Sequence, residues 1–303
     1  MKDCIIIGAG PAGLSAALYL ARYGRDITVV SENVGGQAST AGEIENYPGI
    51  LKTSGYEFSE LLKKQLDQYK NIEMILPSHI SSIQEKKDHF VIKAGDVEYE
   101  GKTVLIAAGK EPRQLNVANE SKLVGKGVSY CATCDGTFAK DKTVAVIGGG
   151  NSAADSALMI SKIAKKVTML SLKEKLEAEQ IRIDRIKRAS NIEVIKGVKT
   201  SSFVEKEGKL VGIVYKNTKT AEEKELLCDM VFIEIGYTPR SKMFEGLVDL
   251  NEKGEIKVNE TNQSTHVGIY AAGDITDVIW KQIIIACGDG AKAAMSVNEY
   301  LEK

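Results

Sequence analysis

The chain has 303 residues, 43% of them hydrophobic, which is long for one core and comfortable for two domains. Lys plus Arg is 40 and Asp plus Glu is 41, a balance that argues against nucleic acid or a membrane surface as a partner held by charge. The longest apolar runs, such as Val144 to Ile147, are strand-sized and exclude a spanning helix.

The N-terminus passes straight into Cys4-Ile5-Ile6-Ile7-Gly8, without the basic region, long apolar stretch and cleavage site of a signal peptide. The expected compartment is therefore the cytoplasm. Ile6-Ile7-Gly8-Ala9-Gly10-Pro11-Ala12-Gly13 reads as a buried strand, a glycine turn and the start of a helix over Leu14–Ala21, with a second strand over Ile27–Val30. Val34-Gly35-Gly36-Gln37 then reads as a loop and Asn46-Tyr47-Pro48-Gly49 as a turn. Phe58, Leu61, Leu62, Gln65 and Leu66 fall at helical spacing and predict an amphipathic helix over Gly55–Tyr69. Lys102 to Gly109 predicts a buried strand ending in a glycine turn, and Glu111-Pro112-Arg113 a hinge.

Cys131-Ala-Thr-Cys134-Asp135-Gly136 follows. Thiols at this spacing can close and reopen a small disulfide ring, and Asp135 is placed to supply the proton that thiolate exchange needs. Half of a zinc site is the competing reading. It needs two more ligands in a second pair, and the chain offers no other Cys-x-x-Cys and no His-rich cluster. Five cysteines in all suit a reducing compartment, where such a pair is catalytic more often than structural. Cys4, Cys228 and Cys287 read as small buried hydrophobes.

Val146-Ile147-Gly148-Gly149-Gly150-Asn151-Ser152-Ala153 repeats the first glycine cluster. It too follows an apolar strand, opens a helix (Ala154–Ile163) and leads to another strand (Val167–Leu170). In such a unit the first glycine makes the tight turn, the second lets backbone amides approach a pyrophosphate, and the third small residue lets helix pack on strand. One glycine fingerprint is weak; two in strand–helix–strand context predict two Rossmann-like dinucleotide domains of α/β class. Met230–Gly236 predicts a further strand, with a return hinge at Gly236-Tyr237-Thr238-Pro239. Val267 to Asp274 predicts a strand that ends by presenting a carboxylate. The second domain, 114–244, is thus expected to be inserted in a first made of 1–113 plus 245–303. His79, His89 and His266 read as surface or loop residues. Trp280 reads either as core or as a stacking residue.

From Ile5 to about Leu301 these motifs resemble the low-molecular-weight thioredoxin reductases. Lys281-Gln282-Ile283-Ile284-Ile285-Ala286 and Gly288-Asp289-Gly290-Ala291-Lys292-Ala293-Ala294 are also similar to the C-terminal part of the flavoprotein subunit of alkyl hydroperoxide reductase. The resemblance implies an FAD/NAD(P)-linked disulfide reductase fold, an FAD domain, an inserted nicotinamide-type domain and a homodimer. It implies that Gly8, Gly10, Pro11, Ala12 and Gly13 hold the FAD pyrophosphate, and that Glu32 or Ser31 accepts from the adenosine ribose. Gly36, Gln37 and Asn46 would lie near the flavin and Ala108 and Gly109 on the adenosine side. Gly273 and Asp274 would meet the ribityl chain, with Lys281, Gln282 and Ile283 at the ring edge. For Asp274 a helix N-cap is the plainer alternative. Cys134 would be the flavin-proximal thiol, Cys131 the interchange thiol and Asp135 the acid. In the family one domain rotates against the other so that disulfide and nicotinamide reach the flavin in turn, and the Pro112 and Pro239 hinges suit such a motion.

The nicotinamide pattern departs from the family. NADPH needs cations for its 2′-phosphate, best supplied as guanidinium forks. The usual His-Arg-Arg and later Arg are replaced by Ser171-Leu172-Lys173 and Glu177, and Glu174 adds a second repelling carboxylate. NADPH is therefore disfavoured. Gly148, Gly150, Asn151, Ser152 and Ala153 keep the fingerprint intact, and with Ser171 and Lys173 they leave NADH as the expected donor. Reduced ferredoxin or a deazaflavin over a degenerate nicotinamide site is the alternative. The expected activity is reduction of thioredoxin or a thioredoxin-like protein. A flavin-binding redox sensor without turnover is a reading from another class, and Asp135 beside the pair argues against it.

Overall fold

Residues of strand Lys2–Ala9 alternate between two cores, Cys4 and Ile6 on one side and Ile5 and Ile7 on the other. A strand buried on both faces reads as an unbroken apolar run, which is why this segment looks hydrophobic throughout. Thr143–Ile147 does the same, sending Val144 and Val146 one way and Ala145 and Ile147 the other. In the computed structural model these two strands are central to two separate sheets. The structure describes every residue except 42 and 43, and the side chains of Thr40, Thr133 and Cys134 also lie outside the description.

The chain divides into two units, Met1–Glu111 with Thr238–Lys303, and Pro112–Tyr237. The first holds a seven-stranded sheet among the described residues. Its parallel part runs Ile72–Ile75, Ile27–Val34, Lys2–Ala9 and Val97–Ile106, with Ile269–Ala271 also parallel to the last. Val97–Ile106 is long enough to serve twice: its first half pairs antiparallel with Phe90–Ala94, which pairs with Ile80–Glu85. Helices Pro11–Arg22 and Ile283–Leu301 cover one face. They approach closely because Gly290 lies against the Ala12 backbone, where a Cβ would strike the carbonyl. Helix Gly55–Leu66 opens on a capping box, Ser54 accepting from the Glu57 amide at 3.2 Å while Glu57 accepts from the Ser54 amide at 3.0 Å. It ends three residues before the predicted Tyr69.

The second unit holds a five-stranded parallel sheet in the order Ile192–Lys196, Lys166–Ser171, Thr143–Ile147, Met230–Ile233, Val128–Ser129. Helix Asn151–Ile160 packs on one face through Ala153, Ala154, Ala157 and Ile160. An antiparallel three-stranded sheet, Val198–Lys206, Lys209–Asn217 and Glu223–Leu227, covers the other with Phe203, Leu210 and Ile213. Both fingerprint helices begin earlier than the apolar periodicity suggests, at Pro11 and Asn151, because the turn residues themselves enter the first turn. Among the described residues no helix is long and apolar enough to cross a membrane.

Candidate active site

In the first unit the carboxyl ends of three parallel strands bring the glycines together. Gly8 has φ +105°, and a Cβ there would strike the Ala107 carbonyl; one on Gly13 would strike the Gly8 carbonyl. These glycines are conditions of close packing, since no side chain fits. Helix Pro11–Arg22 starts from Gly10 with no side-chain cap and with Pro11 supplying no N–H. Its first-turn amides are left for an outside acceptor, the arrangement that receives phosphate. The loop from Val34 returns over this turn: the Gly35 amide donates to the Ala9 carbonyl at 2.7 Å and the Gly36 amide to Asn33 Oδ1 at 3.1 Å. Gly36 then lies beside the Gly10 backbone. Ala108 follows the Ala107 carbonyl that Gly8 touches, and Gly109 has φ +66°.

Glu32 lies in strand Ile27–Val34 and is already engaged. Arg240 Nη1 meets its Oε1 at 2.6 Å and His79 Nδ1 at 3.2 Å. Arg240 was not singled out in the sequence, although an Arg directly after Pro239 marks the spot. Ser31 Oγ donates to the Asn33 carbonyl at 2.9 Å. His79 therefore keeps a carboxylate partner, as do His89 with Asp88 and His266 with Glu85.

The other expected flavin-side residues meet in pairs. Asn46 Nδ2 donates to Gln282 Oε1 at 3.1 Å, and Gln37 donates to the Lys110 carbonyl. Gly273, at φ +76°, packs on Ala12 and Ala286. Asp274 lies inside the short 3-10 turn Gly273–Ile275, so it is no helix N-cap; Gln282 takes that place for the long helix opened by Ile283. Burial pushes the Asp274 carboxyl above its usual range, against the pull of Lys281 and Lys110.

Three further residues, to which the sequence assigned no role, complete this region. Lys110 and Lys281 share one oxygen of Glu255, at 3.1 and 3.2 Å, and Asn251 donates to the other at 2.8 Å. Burial opposes ionisation of Glu255, but the bonds from Asn251 and Lys110 and the Lys281 charge overcome it and hold the pKa to about 2. Burial and the Lys110 charge push Lys281 below its ordinary value. Lys281 also donates to the Thr276 carbonyl at 2.5 Å. Asp289 is the third. It accepts from the Gly273 amide, burial pushes its pKa up, and its Oδ2 is buried without a partner. A buried orphan oxygen is costly unless something fills its valence. Together with the uncapped helix start and the glycine cradle, it fits a polar dinucleotide such as FAD. Trp280 is 72% exposed and belongs to no core.

The second unit repeats the cradle. The Gly148 amide donates to the Leu170 carbonyl at 2.9 Å, and a Cβ at its φ of +147° would strike the Glu234 carbonyl. Helix Asn151–Ile160 starts from Gly150 without a side-chain cap, with Ser152 exposed and Ala153 buried. The segment after Ser171 folds down onto this start. The Glu177 amide donates to the Gly149 carbonyl at 2.7 Å and the Glu179 amide to Asn151 Oδ1 at 2.8 Å. Ser171 is buried and its hydroxyl donates to the Lys173 carbonyl at 3.0 Å. Lys173 is paired with Glu177 at 2.5 Å, and Glu174 with Lys219 at 2.7 Å.

In the same unit Cys131 is disulfide-bonded, whereas Cys4, Cys228 and Cys287 are free and buried. Its amide donates to Ser129 Oγ at 3.0 Å, and its carbonyl accepts the Asp135 amide at 3.1 Å, closing the short helix Ala132–Asp135. The Cys134 side chain lies outside the described residues. Asp135 is half-buried at the end of this helix.

A strand-edge dinucleotide cradle in each unit, with a disulfide in the second, defines a nucleotide-dependent disulfide oxidoreductase. The pyridine nucleotide-disulphide oxidoreductase family model matches residues 2–290, and the chain belongs to that family of flavoprotein oxidoreductases. It is 39% identical over 302 residues to a subunit of Staphylococcus aureus alkyl hydroperoxide reductase, covering 99% of this chain and 59% of that relative's length. It is similar to Lactococcus lactis thioredoxin reductase, at TM-score 0.88 and 33% identity over 100% of this chain and 99% of that one. The thioredoxin reductase of T. acidophilum gives TM-score 0.86 and 36% identity, again over 100% and 99%.

Proposed function

We propose that this chain is an FAD-dependent disulfide reductase. The first unit would hold the FAD, and a Cys131–Cys134 disulfide would relay its electrons to thioredoxin or a thioredoxin-like protein. The observation that carries the reading is the disulfide at Cys131, at the start of a short helix in a unit that repeats the dinucleotide cradle of the other. FAD would supply the two-electron chemistry. The chain's own residues do the rest. Gly8, Gly10, Pro11, Ala12 and Gly13 would receive the pyrophosphate, and Gly36, Gln37, Asn46, Ala108, Gly109, Gly273, Asp274, Lys281, Gln282 and Ile283 would surround the remainder. Glu32 or Ser31 would take the ribose. Cys131 attacks the partner disulfide and Asp135 handles its proton.

NADH is the proposed donor. It would lie at Gly148, Gly150, Asn151, Ser152 and Ala153, with Ser171 accepting from the ribose. NADPH is disfavoured because Lys173 is tied to Glu177 and residues 171–177 include no Arg to supply a guanidinium fork. The same observation supports the second reading, in which reduced ferredoxin or a deazaflavin is the donor. Anaerobic addition of NADH, then NADPH, to the yellow protein separates them. NADH alone is expected to bleach the flavin band rapidly. Bleaching only by reduced ferredoxin or deazaflavin would replace the first reading with the second. A protein that takes up no flavin would end both.

A further inference from the structure

Strand Met230–Ile233 is buried throughout, and directly after it Glu234 brings a carboxyl into the interior of the second unit. Ser156 Oγ donates to Glu234 Oε1 at 2.7 Å, and the Ala132 amide donates to the same carboxyl. Ser156 is in the fingerprint helix; Ala132 follows Cys131. One side chain therefore ties the dinucleotide helix to the backbone of the redox loop. Its own backbone is fixed as well. The Glu234 amide donates to the Ile147 carbonyl at 2.8 Å, and its carbonyl fills the space a Cβ on Gly148 would need.

We propose that Glu234 is a positioning residue of the redox loop: it fixes the Ala132 amide, and its charge beside Cys131 governs how readily the reduced pair forms a thiolate. This rests on the redox role given to Cys131 and needs no bound cofactor. Reduction breaks the S–S bond and consumes two electrons, from reduced flavin in the enzyme or from a dithiol in a test. Two protons are needed if both sulfurs end as thiols. If Cys131 remains a thiolate, one proton goes to the other sulfur and no second is consumed, and the Glu234 carboxylate repels the new anion. Burial already pushes this carboxyl up, while the bonds from Ser156 and Ala132 pull it down, and no cation contributes. The titratable neighbours are Tyr237, pushed up by burial and by the Glu234 charge, and Asp135 at the end of the loop helix.

The test compares Glu234→Gln, which removes the charge and keeps one amide oxygen to accept from Ser156 or Ala132, with Glu234→Ala, which loses both bonds. Thermal melting establishes that each folds. Alkylation of reduced Cys131 by iodoacetamide is followed against pH in a Cys134→Ser background. The midpoint potential of the intact pair is measured in glutathione buffers. Glu234→Gln is expected to alkylate about threefold faster or more near pH 7, with its pH profile displaced downward and its midpoint potential less negative, as loss of a like charge dictates. Wild-type rates and potential in Glu234→Gln at every pH, with Glu234→Ala altering only the melting temperature, would reduce Glu234 to a structural tie and overturn the proposal. A pair that exchanges thiols normally in a protein no donor can bleach would sink the flavin reading and leave this one standing.

Discussion

Gly8 and Gly13 cannot carry side chains, and the role proposed for Cys131 needs its sulfur; such positions were visible in the sequence because the residue type itself states the requirement. Cys131→Ser is expected to abolish disulfide turnover while flavin absorbance per protein stays at the wild-type level. Turnover retained in an insulin-coupled thioredoxin assay would remove Cys131 from the chemistry. Lys110 and Glu255 were not visible, and Asp289 stood in the Gly288–Ala294 motif with no sign there of its burial. A lysine or a carboxylate far from any motif is ordinary surface in sequence, and only burial and a shared oxygen distinguish it. Glu255→Gln leaves two lysines facing each other without their anion. Breaking such a buried pair is expected to cost about 3 kcal/mol in denaturant unfolding. The carboxyl's pKa is depressed in the fold, so its stabilisation is present above the ordinary carboxylate range and fades as pH falls toward about 2. The gap between wild type and Glu255→Gln should narrow over that interval. A gap that does not change with pH would mean that the ionised form is not what stabilises.

Strand, glycine turn and helix announce themselves through short-range pattern, and both fingerprint units stand as predicted, with helix starts moved to Pro11 and Asn151. The segment from Ser171 to Glu179 does not behave as its composition suggests. Lys173 is paired with Glu177, whose amide is anchored on Gly149. The Ser171 hydroxyl donates to the Lys173 carbonyl, which leaves its lone pairs free to accept. Glu177→Arg would release Lys173 and add a guanidinium at the strand end. It is expected to lower the NADPH concentration for half-maximal flavin reduction about tenfold, near 1.4 kcal/mol. An unchanged NADPH response would mean that this segment does not face the 2′-phosphate.

For the molecule as a whole, Leu51 and Ile279 of the first unit are 97% and 80% exposed, large apolar side chains that a second copy of the chain is proposed to cover. Sedimentation equilibrium should return twice 32.9 kDa, and a monomer at all concentrations would dismiss the dimer. Chain order alone was enough for the α/β class, the doubled cradle and the cysteine pair, because each depends on neighbours a few residues apart. Where Arg240 meets Glu32 and why Glu234 reaches the loop of Cys131 depend on residues 78 to 208 positions apart becoming neighbours. Local pattern carries no record of that, since only the packed sheets and helices decide which polar groups are shut away from water together.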